Sequence, residues 1–193
     1  FTNEFSNAIQ IQASPIGYPA GTINRILYSD LLQVSGARSS KIAMSRGYWE
    51  DATNRTMALD APVNLGAKAT FDEASRELTI KVDVYYTANE AVPNNLNIAL
   101  LQDGLVSKQS GGGENYTQNN VLRHMLTGKW GEILTTTTMG TKVSKTYTYT
   151  LPADYNGADV EGGGAVVIEN LKVVAFVSQG QKDILNACEV EVK

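Results

Sequence analysis

Cysteine is nearly missing from this sequence. Cys188 is the single one in 193 residues, so an internal disulfide and the disulfide scaffold of small secreted domains are both excluded. Thiol-redox catalysis by this chain goes with them, because it needs a Cys-x-x-Cys pair at a helix start, where the thiol pKa is lowered. Histidine is equally scarce, with His124 alone. A lone His without Cys or clustered carboxylates is a poor zinc site, and no Ser or Cys nucleophile accompanies it in any motif. Long apolar runs are absent too: none approaches the ~20 residues of a membrane-spanning helix. Charge of one sign is not in excess. Lys+Arg 16 against Asp+Glu 20 gives a net charge of -4, spread without long runs, which argues against a nucleic-acid surface and points to no other partner class. Phe1 opens the chain with no basic n-region, apolar h-region or initiating Met, so the molecule reads as processed or truncated. No cofactor is expected.

What is present is strand pattern, with 42% hydrophobic residues, enough for a core without disulfides or metals. In ELTIKVDVYY, Leu78, Ile80, Val82, Val84 and Tyr86 alternate with polar residues and Tyr85, placing the aliphatic side chains on one strand face. A turn rich in asparagine around Pro93 follows, and Leu96, Ile98 and Leu100 repeat the alternation, so these two runs are read as an antiparallel pair. Before them, Val63, Leu65, Ala67, Ala69 and Phe71 alternate as well, and Asp72-Glu73-Ala74-Ser75 turns the chain into the next strand. After them, Asp103-Gly104 marks a tight turn and Ser110 to Glu114 a glycine-rich loop. Val143 to Leu151 alternates as a half-exposed strand. Leu171 to Val177 is apolar on both faces and should be a central strand. Ile184, Cys188, Val190 and Val192 share one face of a closing strand, which makes Cys188 a small core hydrophobe. The fold class is therefore mainly β, an antiparallel Greek-key sandwich of at least seven strands over residues 59–193, with Leu78, Ile80, Val82, Val84, Ala175 and Val177 pointing inward.

Residues 1–58 read differently. Ala8 to Gln12 is a short apolar run taken as a strand; a turn containing Gly17-Tyr18-Pro19 follows, then an extended Thr22-Ile23-Asn24, then a helix from about Ser45 to Leu59 around Tyr48, Trp49 and Ala52. Strand, Tyr18-Pro19 turn, strand and terminal helix resemble the second half of a thioredoxin-like domain. The resemblance implies a truncated α/β segment, a cis Tyr18-Pro19 bond, and residues 1 to about 25 either more mobile than the sandwich or held by a second molecule.

The most individual stretch is YTQNNVLRHMLTGKWG. Tyr116, Asn119, Arg123, His124 and Trp130 form the candidate ligand or partner surface, although the alternation of Val121 with Arg123 and of Leu122 with His124 equally fits a strand whose polar face is solvated. Asp154, Asn156, Asp159 and Glu161 suggest calcium, but Ala158 stands at a ligand position of the EF-hand pattern, so a solvated loop is preferred.

The order LNIALLQDGLV, Tyr116 followed by NNVLR, TGKWG, LPADYN, NLKVVAFVS and ILNACEVEV resembles the 28-kDa outer-membrane protein family of Bacteroidetes over residues 60–193. GYPAGTINR and the Trp49 helix resemble the thioredoxin-like region ahead of that family's sandwich. Gln118 and Asn119 replace a histidine, and the Gly157–Val167 insertion departs from the family spacing. The resemblance implies a surface lipoprotein, tethered to the outer membrane by an N-terminal lipid anchor upstream, acting as a non-catalytic binding or structural module for a protein or glycan, or as a homo-oligomer. Two alternatives stand beside it. One is an accessory part of a thiol-redox protein with cysteines upstream of Phe1; the other is a carbohydrate-binding module using Tyr116, Trp130 and Tyr155.

Overall fold

Asn3 begins the first helix. In a computed structural model that describes residues 1–155 and 164–193, its side chain accepts from the Phe5 and Ser6 amides at 3.0 and 2.8 Å, and the Ser6 hydroxyl accepts from the Asn3 amide at 2.9 Å. This reciprocal cap satisfies N–H groups that a helix start leaves unpaired. Helix α1 is Glu4–Ala13, so the apolar run at Ala8–Gln12 is helical and the expected strand is not there. The chain leaves α1 through a cis Tyr18–Pro19 bond, as expected.

Short strands β1 (Ala20–Gly21), β2 (Val34–Ser35), β3 (Arg38–Ser39) and β4 (Met44–Ser45) follow, with β1 paired to β4 and β2 to β3. The expected extension over Thr22–Asn24 fails because Asn24 and Arg25 both take left-handed backbone angles, φ 49° and 55°, which turn the chain. Helix α2 is Trp49–Met57, where the helical spacing put it. Leu31, Met44 and Ala52 are buried together, with Ile23, Tyr28 and Trp49 around them, as a small core of this region.

The sandwich is built from β5 (Val63–Asp72), β6 (Glu77–Tyr86), β7 (Asn94–Gln102), β8 (Leu105–Gln109), β9 (Gly113–Gln118), β10 (Val121–Met125), β11 (Glu132–Leu134), β12 (Lys142–Thr150), β13 (Leu171–Gln179) and β14 (Ile184–Glu191). One sheet has the order β12-β6-β5. The other runs β10-β7-β13-β14, with β11 also on β7, and all its pairs are antiparallel. The β5–β6 hairpin closes through Asp72, whose side chain accepts from the Ala74 and Ser75 amides. The expected pairing of β6 with β7 is corrected: β6 pairs with β5 and β12, and β7 is central in the facing sheet. Alternation buries one face of each strand, and this is equally satisfied by strands side by side in one sheet or by strands facing across a core.

The six predicted inward residues are all there, none above 1% exposed, with Leu96, Ile98, Leu100, Leu171 and Val173 opposite them. β13 is central, between β7 and β14. Cys188 lies on the inner face opposite Ala175, and burial pushes its thiol pKa up. A bulge at Val177/Ser178 places Ile184 with the outer cluster instead of with Cys188.

The outer surface of the larger sheet is also covered. Phe5 of α1 is buried among Ala99, Met125 and Phe176, flanked by Leu101, Leu122 and Val174. The N-terminal segment thus packs on its own chain, contrary to the expectation that residues 1 to about 25 lack a packing partner. Next to it Arg25, 7% exposed, lies over the rings of Phe176 at 5.1 Å and Trp130 at 5.7 Å.

Candidate functional site

The five residues singled out in the sequence are held in separate environments. Tyr116 is on β9, half-exposed on the β8–β9 hairpin, which stands outside both large sheets. Its ring lies so close to Gly112 that a Cβ added there would sit 2.6 Å from it and force the ring to move. Asn119 accepts from the Gly104 amide at 3.0 Å, and Asn120, at φ 57°, donates its N–H to Asp103 at 2.6 Å. This pair clasps the turn after β9 to the turn after β7. Asp103 in turn holds Lys172 at 2.9 Å, and that bond lowers the Asp103 pKa below the usual carboxylate range.

Arg123 is not on a solvated strand face. A register shift between Leu122 and His124 accompanies its burial at 5% exposed, with its guanidinium over Tyr155 at 4.8 Å and Nη2 donating to the Gly164 carbonyl at 3.1 Å. Its Nε is buried without a hydrogen-bond partner among the described residues. Burial pulls the Arg123 pKa down and pushes the Tyr155 phenol well above its ordinary range. From the paired position opposite Val121, Gln102 donates to the Ala165 carbonyl at 2.9 Å. Arg123 and Gln102 therefore fasten the consecutive residues Gly164 and Ala165.

His124 is a packing spacer. It meets Phe5 edge-on at 5.0 Å and stacks on Tyr149 of β12 at 4.4 Å with 11° between the rings. It links α1 to the smaller sheet, and desolvation lowers its pKa. Trp130 is in the turn before β11, where its carbonyl accepts from Asn95 at 2.7 Å and its ring backs Arg25. Asn119, Arg123, His124 and Trp130 are each engaged in packing or hydrogen bonds, while Tyr116 is exposed on its hairpin. Asp154 is described, but Asn156, Asp159 and Glu161 of the calcium alternative lie outside the described residues. Among the described residues no three His, Cys, Asp or Glu side chains gather as a metal site.

Two surfaces were not singled out in the sequence. A cleft of about 360 Å³ lies between α1 and the Tyr18–Pro19 turn, lined by Ile9, Ala13, Pro15, Tyr18, Ala20 and Leu122. It was missed because α1 was read as a strand. The second is the outward face of the β12-β6-β5 sheet. Its cross-strand rows run Asp72–Glu77–Thr150, Thr70–Thr79–Thr148, Lys68–Lys81–Thr146, Gly66–Asp83–Ser144 and Asn64–Tyr85–Lys142. All fifteen are exposed except Thr79, which is half-buried. The signal was there, since the polar half of the alternation defines this face as firmly as the aliphatic half defines the core. Reading its rows required the register.

Over residues 6–193 the chain matches the family model described as outer membrane protein Omp28. It is similar to the crystal structure of a domain of the outer membrane lipoprotein Omp28 from Porphyromonas gingivalis, at 21% identity and TM-score 0.49, covering 69% of this chain and 97% of that one. Weaker similarity joins it to a beta-glucosidase from Listeria innocua in complex with glucose, at 12% identity and TM-score 0.35, covering 89% of this chain and 22% of that one. A beta-glucosidase from Kluyveromyces marxianus is comparable, at 15% identity and TM-score 0.38, covering 78% of this chain and 18% of that one. The chain thus spans only a small part of either enzyme. No curated protein matches it.

Proposed function

The chain belongs to the Omp28 outer membrane protein family, and from that premise we propose that it is a non-catalytic binding module of a lipid-anchored surface protein. Outer-membrane, cell-surface localisation follows from the membership. The binding role is supported chiefly by the contrast between its polar groups: Arg123, His124 and Asn119 are engaged in packing and clasping, whereas the five polar rows on the β12-β6-β5 sheet face solvent. The test is a screen of the intact chain against bacterial surface glycans and proteins, run beside hydrolase and disulfide-reductase assays. Binding with only background turnover supports the reading. Turnover that disappears in Cys188→Ser contradicts it.

The division at residue 58 is part of the same proposal: residues 1–58 as the closing half of a thioredoxin-like unit, 59–193 as the sandwich. The order α1, turn, β1, β4, α2 with the Leu31–Met44–Ala52 core supports it. So does the apolar cleft beside α1 and β1, a surface that an upstream segment would fill. The same cleft favours the second reading, an accessory part of a thiol-redox protein. The coding sequence upstream of Phe1 separates the two: a lipidated cysteine alone supports the tethered module, and a Cys-x-x-Cys pair supports the redox protein.

A further inference from the structure

We propose that the outward face of the β12-β6-β5 sheet, centred on Lys68 and Lys81, binds an acidic polysaccharide. The inference rests on the binding-module reading and names its surface and its partner class.

Lys68 and Lys81 are directly opposite each other across β5 and β6. Side chains so placed start about 5 Å apart, and like charges there destabilise a sheet. Neither lysine takes part in an ion pair among the described residues. The nearest acid in register, Asp83, is already engaged: Oδ2 accepts from Lys142 at 2.9 Å and Oδ1 from Ser144 at 2.5 Å. Its pKa is lowered by those two bonds, so it stays ionised and committed. At the seam with β14, Glu191 and Lys193 flank Lys68 with one charge of each sign. A like-charge pair without a counterion is a sequence cost, and an anionic ligand between the ammonium groups removes it.

The ground beside the lysines is shaped for a ligand. Gly66 faces Asp83 on the next row, and a Cβ added to it would meet nothing within 4 Å. This leaves an opening of about 360 Å³ lined by Gly66, Lys68, Lys81, Asp83, Ser144 and Thr146. Threonines occupy the row on the other side, and Tyr85, 46% exposed, stands on the row beyond Asp83. Hydroxyls that donate and accept, an exposed ring and two cations outside any ion pair on one exposed sheet face match a polymer of hydroxyl-rich rings carrying spaced anionic groups. A continuous anionic lipid surface fits less well, because it would press against Asp72, Glu77 and Asp83 as well as the lysines.

The experiment titrates the intact chain, at low ionic strength, with dextran sulfate oligosaccharide and with neutral dextran of the same length. The expected result is binding to the sulfated polymer alone, weakened about tenfold or more in the Lys68→Gln/Lys81→Gln double variant and less than about twofold in Lys142→Gln, whose ammonium is already held by Asp83. The melting temperature of the double variant reports folding separately. It should equal or exceed that of the unaltered chain at low salt, with the difference vanishing at high salt. Sulfate-dependent binding that survives in the double variant overturns this surface and leaves the binding-module reading standing. Equal binding of both polymers, affinity for neither, or lysine-dependent capture of phosphatidylglycerol vesicles without affinity for the polysaccharide also overturns the proposal.

Discussion

The two sheets of the sandwich share one core and differ in what lies behind them. Behind β12-β6-β5 there is solvent, and each of its strands alternates, aliphatic inward and polar outward. Behind β7 and β13 lie α1 and Arg25, and these strands are buried on both faces over most of their length. A sheet with one wet face can display a functional surface. A sheet with two dry faces is committed to holding the molecule together, which is why Arg123, His124 and Trp130, all close to it, are used in packing.

That contrast can be broken most strongly at the shared core. Ile80→Ala, at a position with 0% exposure, should cost about 2–5 kcal/mol through lost burial and the residual cavity, measured by denaturant unfolding. A loss below about 1 kcal/mol would place Ile80 outside the core. Phe5→Ala attacks the outer layer alone and should cost less, about 1.5–3 kcal/mol, since a terminal helix can undock locally. Hydrogen exchange should then quicken in α1 and β10 and stay unchanged in β6.

The difference in legibility follows the same line. The β5–β6 hairpin, the inward aliphatics and the central position of β13 were readable because alternation and turn residues act locally. Which sheet β7 joins was not, because a one-faced pattern does not say whether its cover is a neighbour in the sheet or a strand across the core. In α1, the Ile9-Gln10-Ile11-Gln12 alternation imitates a strand, while the deciding signals were Asn3 with Ser6 and the Phe5, Ile9, Ala13 spacing. The burial of Arg123 depends on a bulge and on a ring 32 residues later in the chain, which no local pattern encodes. The five proposed site residues lie within fifteen consecutive positions and are separated by the fold, whereas Lys68 and Lys81, 13 positions apart, are brought opposite each other by the β5–β6 register.

Arg25 sharpens the comparison from the dry side. Its Nη1 is buried without a hydrogen-bond partner among the described residues, and burial lowers its pKa. Stacking on two rings contributes about 0.5–2 kcal/mol, against about 1–3 kcal/mol for a buried unpaired donor. Arg25→Met keeps the apolar stem and removes the charge, so its denaturation midpoint should match or exceed that of the unaltered chain.

The smallest effect is at His124. Desolvation depresses its folded pKa, while the unfolded chain protonates near pH 6.5. Below that value the unfolded state binds more protons, so stability falls as pH falls through this window and is fully present above it. His124→Gln should flatten that part of the pH–stability curve, as followed by thermal melts between pH 7 and 5, roughly the range over which histidine titrates.

The most direct measurement of the central claim, that the wet face is the working face, is a set of backbone amide chemical shifts recorded while dextran sulfate oligosaccharide is titrated into the intact chain. The account predicts changes concentrated at Lys68, Thr79, Lys81, Asp83 and Thr146, with β7 and β13 silent. Changes centred on Tyr116 and Trp130, or along the cleft beside α1, would contradict it.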